Sequence, residues 1–265
     1  MKKFLLTLAK GLGFFLVWTV LVSLLPMPDI ANPALWRLVA EVLPLAVTLL
    51  LNGLFWKLEK EPLPLNLWNR PGHAAGVGGL AGALWLGVPV LLLWATGVLT
   101  FQGRNTIDLF WVWWLSALLN AGMQELLVRG YLYQLIKRSY STLAAALSTS
   151  VLFLLMHGGA FEAGPLAVAN VLTMSLLMSL VLEYTQCLIA PVVMHFLWNG
   201  IGCLTLGCVS LADDYPHWLN TQLAGAELVS GGVYALEGSV VVLGMNLALL
   251  LTFWLLLHRK AGKTQ

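Results

Sequence analysis

Runs of about 20 apolar residues, the length an α-helix needs to cross the hydrocarbon core of a bilayer, follow one another through this sequence from one end to the other. Eight are delimited, at residues 5–25, 38–56, 75–99, 108–132, 142–158, 165–185, 188–207 and 233–257. In lipid every backbone N–H and C=O must be satisfied within the segment itself, which makes helices the spanning element for runs of this kind. With 59% of its 265 residues hydrophobic and only 10% charged, the chain is too apolar for an ordinary water-soluble domain. The expected fold is all-α: a polytopic transmembrane helical bundle of about eight spanning helices. Residues 1–265 read as a single transmembrane domain with residues 1–60 as its more peripheral part. The first run follows Met1-Lys2-Lys3 but lacks a small-residue cleavage site before Pro26, so it is read as a helix rather than a removed signal.

Lysine and arginine set the expected orientation, because cytoplasmic loops carry the excess. Lys2, Lys3, Lys57, Lys60, Arg70, Lys137, Arg138, Arg259, Lys260 and Lys263 all fall on one side of an eight-helix weave, leaving Arg37 and Arg104 for the other. That pattern predicts that both termini are cytoplasmic; the localisation expected is that of an integral protein of a bacterial plasma membrane. The net charge of +2 then reflects topology, and no nucleic-acid partner is expected. Three cysteines, Cys187, Cys203 and Cys208, show no CxxC spacing and read as small core residues.

Ionisable groups inside a bilayer are costly, so those that persist face the bundle interior and are candidates for function. Glu41 stands one turn after Arg37, a spacing that suits a structural ion pair. Glu125 and Arg129 share that i, i+4 spacing. His157 ends the apolar segment "FLLMHGG", and His195 and Asn199 lie one turn apart in "PVVMHFLWNG", hence on one helix face. Asn170 is a further uncharged polar residue within an apolar run. Two imidazoles, a carboxylate and a carboxamide on three apolar helices contain the parts for amide hydrolysis: a base for water and donors for the oxyanion. The same residue types would suit zinc, but no HExxH helix supports a metal site, and no cofactor is expected.

The segments "QELLVRG", "FLLMH" and "HFLWN", in this order, resemble the three motifs of the CPBP family, the CAAX-protease and bacteriocin-processing membrane peptidases also called the Abi family. The resemblance covers roughly residues 105–207. It implies an intramembrane endopeptidase that hydrolyses a peptide bond in a membrane-associated peptide or protein substrate, the remaining partner being the lipid bilayer. By position it assigns water activation to Gln124 and His157, the oxyanion hole to His195 and Asn199, and the motif's second glutamate and arginine to Glu125 and Arg129.

Gln124 departs from the family pattern, which has a glutamate there, and a neutral amide is no general base. Two alternatives follow. Either Glu125 has become the base with Arg129 holding it ionised, or Glu125 and Arg129 are a buried structural pair and the chain is a catalytically impaired scaffold that binds a membrane partner. At about 1.5 Å per residue, His157 lies roughly 24 Å from the cytoplasmic start of its run and His195 roughly 10 Å from that of its own. Helix tilt, or an interfacial rather than spanning "YLYQLIKRSYST", would bring the two level.

Overall fold

The computed structural model describes residues 2–209 and 215–262; Met1, the Asp213-Asp214 pair and Lys263 lie outside the described residues. The principal elements are helices: α1 (Lys2–Ser23), α2 (Pro33–Lys57), α3 (Pro71–Ala95), α4 (Phe110–Arg129), α5 (Tyr131–Ser139), α6 (Thr142–Met156), α7 (Gly159–Ala163), α8 (Pro165–Thr185), α9 (Ile189–Leu197), α10 (Glu227–Ser230) and α11 (Val240–Ala261). Helix α9 continues as a π-helical stretch, Trp198–Thr205. Among the described residues the only sheet is a two-stranded antiparallel ribbon of β1 (Leu99–Arg104) and β2 (Leu219–Leu223).

Helix starts follow local chemistry. Proline, which has no N–H to leave unsatisfied, opens α2, α3 and α8. Side-chain oxygens of Asn32, Ser141 and Ser239 accept from the first free amides of α2, α6 and α11.

All eight expected runs are helical, with shifted edges. Five helices (α1, α2, α3, α8 and α11) are long and apolar enough to cross a membrane, whereas α6 and the α9–π unit are shorter apolar helices. The run 108–132 is not one helix. It breaks at Gly130, where the chain turns into α5, a short helix with one apolar and one charged face. The run 142–158 becomes α6, which starts at the expected residue and ends two residues early, at Met156. A Cβ at Gly130 would collide with Asn52 Oδ1 and the Leu126 carbonyl; the space it leaves lets Asn52 Oδ1 accept from Tyr131 N at 2.7 Å. The run 233–257 starts late, because residues 232–238 form two 3₁₀ turns before α11.

The main core lies between α3, α4, α6, α8, α9 and α11, and a smaller cluster around Phe14, Leu51, Tyr131 and Leu135 joins α1, α2 and α5 to it. Helix α3 meets α9 closely, since a Cβ on Gly78 would strike the Ala190 carbonyl and one on Gly82 would lie 2.9 Å from Leu197. Small residues of this kind let membrane helices approach backbone to backbone. Trp85 of α3 stacks on Trp198 at 4.1 Å and donates to Asn246 Oδ1 on α11 at 2.5 Å.

The two ends of the bundle differ in charge. At one, Glu59 receives Lys10 at 2.8 Å and Arg138 at 2.5 Å, Lys137 meets Glu183 at 2.7 Å, and Lys260 donates to the Tyr184 carbonyl at 3.1 Å. The other holds the β ribbon and the loops around it, where Asn32 donates to Asp108 and Tyr234 to the Glu162 carbonyl.

Candidate active site

Gln124 and Glu125 are neighbours on α4 and therefore point about 100° apart, and the structure gives them different surroundings. Glu125 is fully buried between helices. Its Oε2 accepts from Arg129 Nη1 at 2.8 Å and its Oε1 lies 2.9 Å from His195 Nδ1 on α9. Arg129, equally buried, also donates through Nη2 to both the backbone and hydroxyl oxygens of Ser175 on α8, each at 2.7 Å. Its guanidinium lies 5.3 Å from the Phe153 ring centre. The buried pair thus has further polar partners, a condition for tolerating two charges away from water.

Phe153 is the hub that levels the two histidines. The His157 ring stacks on it at 4.2 Å and the His195 ring meets it edge-on at 5.8 Å. Helix α6 ends at Met156, so His157 is its C-cap, and its Nδ1 lies 2.7 Å from the Phe153 carbonyl. A carbonyl and a carboxylate can only accept. Both rings must therefore carry their proton on Nδ1, which leaves Nε2 of each, when neutral, as an acceptor.

His157, His195, Asn199 and Gln124 line one cavity of about 270 Å³. Glu125 does not: it stands behind His195, on the far side of the ring from Nε2. Both of its oxygens are thus engaged, one by Arg129 and one by His195, and it reaches the cavity through the His195 ring. Asn199 belongs to the π-helical stretch that begins at Trp198; such irregular turns recur at functional sites.

Residues that sequence reasoning had not placed here complete the wall. Asn120, one turn before Gln124 on the same face of α4, joins it, as do Arg37, Tyr215 and Glu237. Glu41 pairs with Arg37 at 2.7 Å as its spacing suggests. It also reaches across to α4, accepting from Asn120 Nδ2 at 3.0 Å, and Asn120 Oδ1 then accepts from Gln124 Nε2 at 2.8 Å. A carboxylate that can only accept fixes the sense of both amides, so Gln124 turns Oε1 to the cavity. That oxygen is buried and makes no hydrogen bond within the protein. Glu237 Oε1 lies 3.5 Å from Trp198 Nε1. Asn170 holds the loop that carries Glu237, donating to the Glu237 and Ser239 carbonyls at 2.9 and 3.0 Å; it is an anchor rather than part of the wall. Asn120 could have been found from its i, i+4 relation to Gln124, whereas Glu237 was hidden inside a run read as apolar. Among the described residues no three His, Cys, Asp or Glu side chains converge as a metal-ligand set.

Residues 106–201 match the family model described as type II CAAX prenyl endopeptidase Rce1-like. The match contains Asn120, Gln124, Glu125, Arg129, His157, His195 and Asn199; Arg37, Glu41, Tyr215 and Glu237 lie outside it. Comparison with curated proteins and with solved structures gave no significant match.

Proposed function

We propose, from the match of residues 106–201 to the Rce1-like type II CAAX prenyl endopeptidase model, that the chain is an intramembrane endopeptidase of the CAAX-protease (CPBP) type, hydrolysing a peptide bond in a membrane-associated peptide or protein. The observation that carries this is the 2.9 Å contact of Glu125 with Nδ1 of His195, a residue that lines one cavity with His157 and Asn199.

In this scheme His195 is the base. Its Nε2 takes a proton from a water in the cavity while the oxygen attacks the scissile carbonyl, and the Glu125 carboxylate stabilises the imidazolium that forms, as an acidic partner does in a carboxylate–histidine pair. Arg129 keeps Glu125 charged and fixed, so both act through His195 as positioning residues. His157 Nε2 and Gln124 Oε1 accept hydrogen bonds and hold the water or the substrate amide. Gln124 thus orients where a glutamate would deprotonate. The Asn199 carboxamide donates to the oxyanion. A ring whose Nδ1–H is already given to Glu125 can donate a second bond only as imidazolium. His195 therefore joins the oxyanion hole after it has taken the water proton, then passes that proton to the leaving amine. Every proton in the scheme is carried by a side chain, so no cofactor is called for.

Gln124 favours a second reading, a scaffold of the same fold that binds a membrane partner without cleaving it. Reconstituted protein incubated with membrane-anchored test peptides separates the two by mass spectrometry. Defined cleavage that His195→Ala abolishes supports the peptidase. Binding of a peptide without cleavage, unchanged by His195→Ala, supports the scaffold.

A further inference from the structure

The cavity wall is one-sided along every helix that forms it. Helix α4 runs from the loop end toward the basic end and lines the cavity as far as Gln124 but not through the buried residues 125–129; α8 runs the same way and lines it as far as Met174. Helix α6 runs in the opposite sense and contributes only from Met156 onward, and α9 only from His195 onward. The floor is therefore set at the level of Gln124, Met156, Met174 and His195. Beneath it the Glu125–Arg129–Ser175 cluster and Phe153 fill the bundle, all of them buried. Above it stand Arg37, Gly158, Tyr215 and Glu237, on loops or in the first turns of helices at the end that holds the β ribbon.

Depth follows from α8. Met174 is nine residues from Pro165, with eleven more to Thr185; at about 1.5 Å per residue it lies roughly 14 Å from the loop end of α8 and 16 Å from its basic end. That opposite end carries Lys10, Lys57, Lys60, Lys137, Arg138 and Lys260, whereas of the described lysines and arginines only Arg37 and Arg104 are at the mouth end. Asp29, Asp108, Glu162 and Glu227 accompany them there. An excess of lysine and arginine marks the cytoplasmic face.

We infer that the cavity is reached from the exoplasmic face, and that the substrate is the exoplasmic juxtamembrane segment of a membrane-anchored protein or peptide. The identity of the bound molecule as a substrate rests on the peptidase proposed above; the side from which the cavity is reached does not. An extended chain leaving the bilayer at that face would pass Arg37, Tyr215 and Glu237, which offer donors and acceptors to a peptide backbone, before its amide meets His195. A chain end held at the basic face would find the bundle closed.

The test is cysteine accessibility. A Cβ on Gly158, in the cavity wall, meets nothing within 4 Å, and neither does one on exposed Gly72 at the basic end; the three native cysteines are buried. Gly158→Cys and Gly72→Cys are expressed in a bacterial inner membrane and treated with a membrane-impermeant maleimide in right-side-out spheroplasts and in inside-out vesicles. The expected result is labelling of Gly158→Cys from the outside only and of Gly72→Cys from the inside only, over an unlabelled wild type. Labelling of Gly158→Cys from the inside only, labelling of both variants from one face, or labelling of Gly158→Cys solely after detergent solubilisation overturns the inference. No turnover is needed, so a protein that cleaves nothing still decides it.

Discussion

Two glutamates whose side chains are enclosed stand at two levels of this molecule, and their partners differ. Glu59, at the basic end, is almost wholly enclosed and receives Lys10, Arg138 and the Tyr131 hydroxyl, the last at 2.7 Å. Burial works against its ionisation, yet the hydrogen bonds from Lys10, Tyr131 and Arg138 prevail and lower its carboxyl to about 2. None of those partners changes charge near neutral pH. Glu125 is fully buried, and one of its two partners is His195, which also lines the cavity. In the mechanism proposed above, the same device, a carboxylate held by donors from the side chains around it, closes one site and arms the other. What distinguishes them is the partner: an imidazole can pass a proton on, and an ammonium, a guanidinium or a phenol cannot do so near neutral pH.

The comparison can be broken most directly at Glu125. Glu125→Gln should lower cleavage by about 10² to 10⁴, and by leaving Arg129 with an uncompensated buried charge it should also cost about 3–5 kcal/mol. Glu59→Gln should cost stability alone, about 1.5–3 kcal/mol for lost hydrogen bonds to a charged group. Cleavage and thermal unfolding measured on both variants decide the matter; if Glu59→Gln abolished cleavage in a folded protein, the division of roles would fail.

The next largest effect is expected at Gln124. In Gln124→Glu the new carboxylate faces Asn120 Oδ1, and if Asn120 turns over, its oxygen faces Glu41 instead. The single variant should lose about 1–3 kcal/mol for an unsatisfied buried group with little gain in cleavage. Adding Glu41→Gln reverses the sense of the whole chain of amides, and the double variant should recover stability and cleave faster than the single one. Equal behaviour of the two would show that Glu41 does not set the orientation of Gln124.

A smaller, pH-dependent effect sharpens the other half of the comparison. Because the Glu59 carboxyl is lowered from 4.5 to about 2, its contribution is fully present above pH 4.5 and is lost as pH falls toward 2. Unfolding temperatures followed from pH 5 to pH 2 should drop more steeply in wild type than in Glu59→Gln. Parallel curves would remove Glu59 from the account.

The sequence made the cavity more legible than the basic clamp, for a physical reason. His157, His195 and Asn199 interrupt apolar helices, where a polar group is conspicuous, whereas Glu59 lies in a charged linker where one more glutamate carries no signal. The Arg37–Glu41 pair could be read because both residues lie on one helix. The reach of Glu41 to Asn120, like that of Arg129 to Ser175, crosses between helices and depends on packing that no local spacing encodes. That His157 and His195 meet the same ring, Phe153, was unreadable for the same reason.

The break at Gly130 has a consequence of its own. Arg129 and Tyr131, on either side of Gly130, hold Glu125 and Glu59 respectively, so the clamp and the site are spliced through a single residue. One inserted residue at the splice would turn α5 by about 100°, carrying Tyr131 away from Glu59 while leaving Arg129 in place. The chain is thus phase-locked at this point: a change of length by one residue would uncouple the clamp from the site.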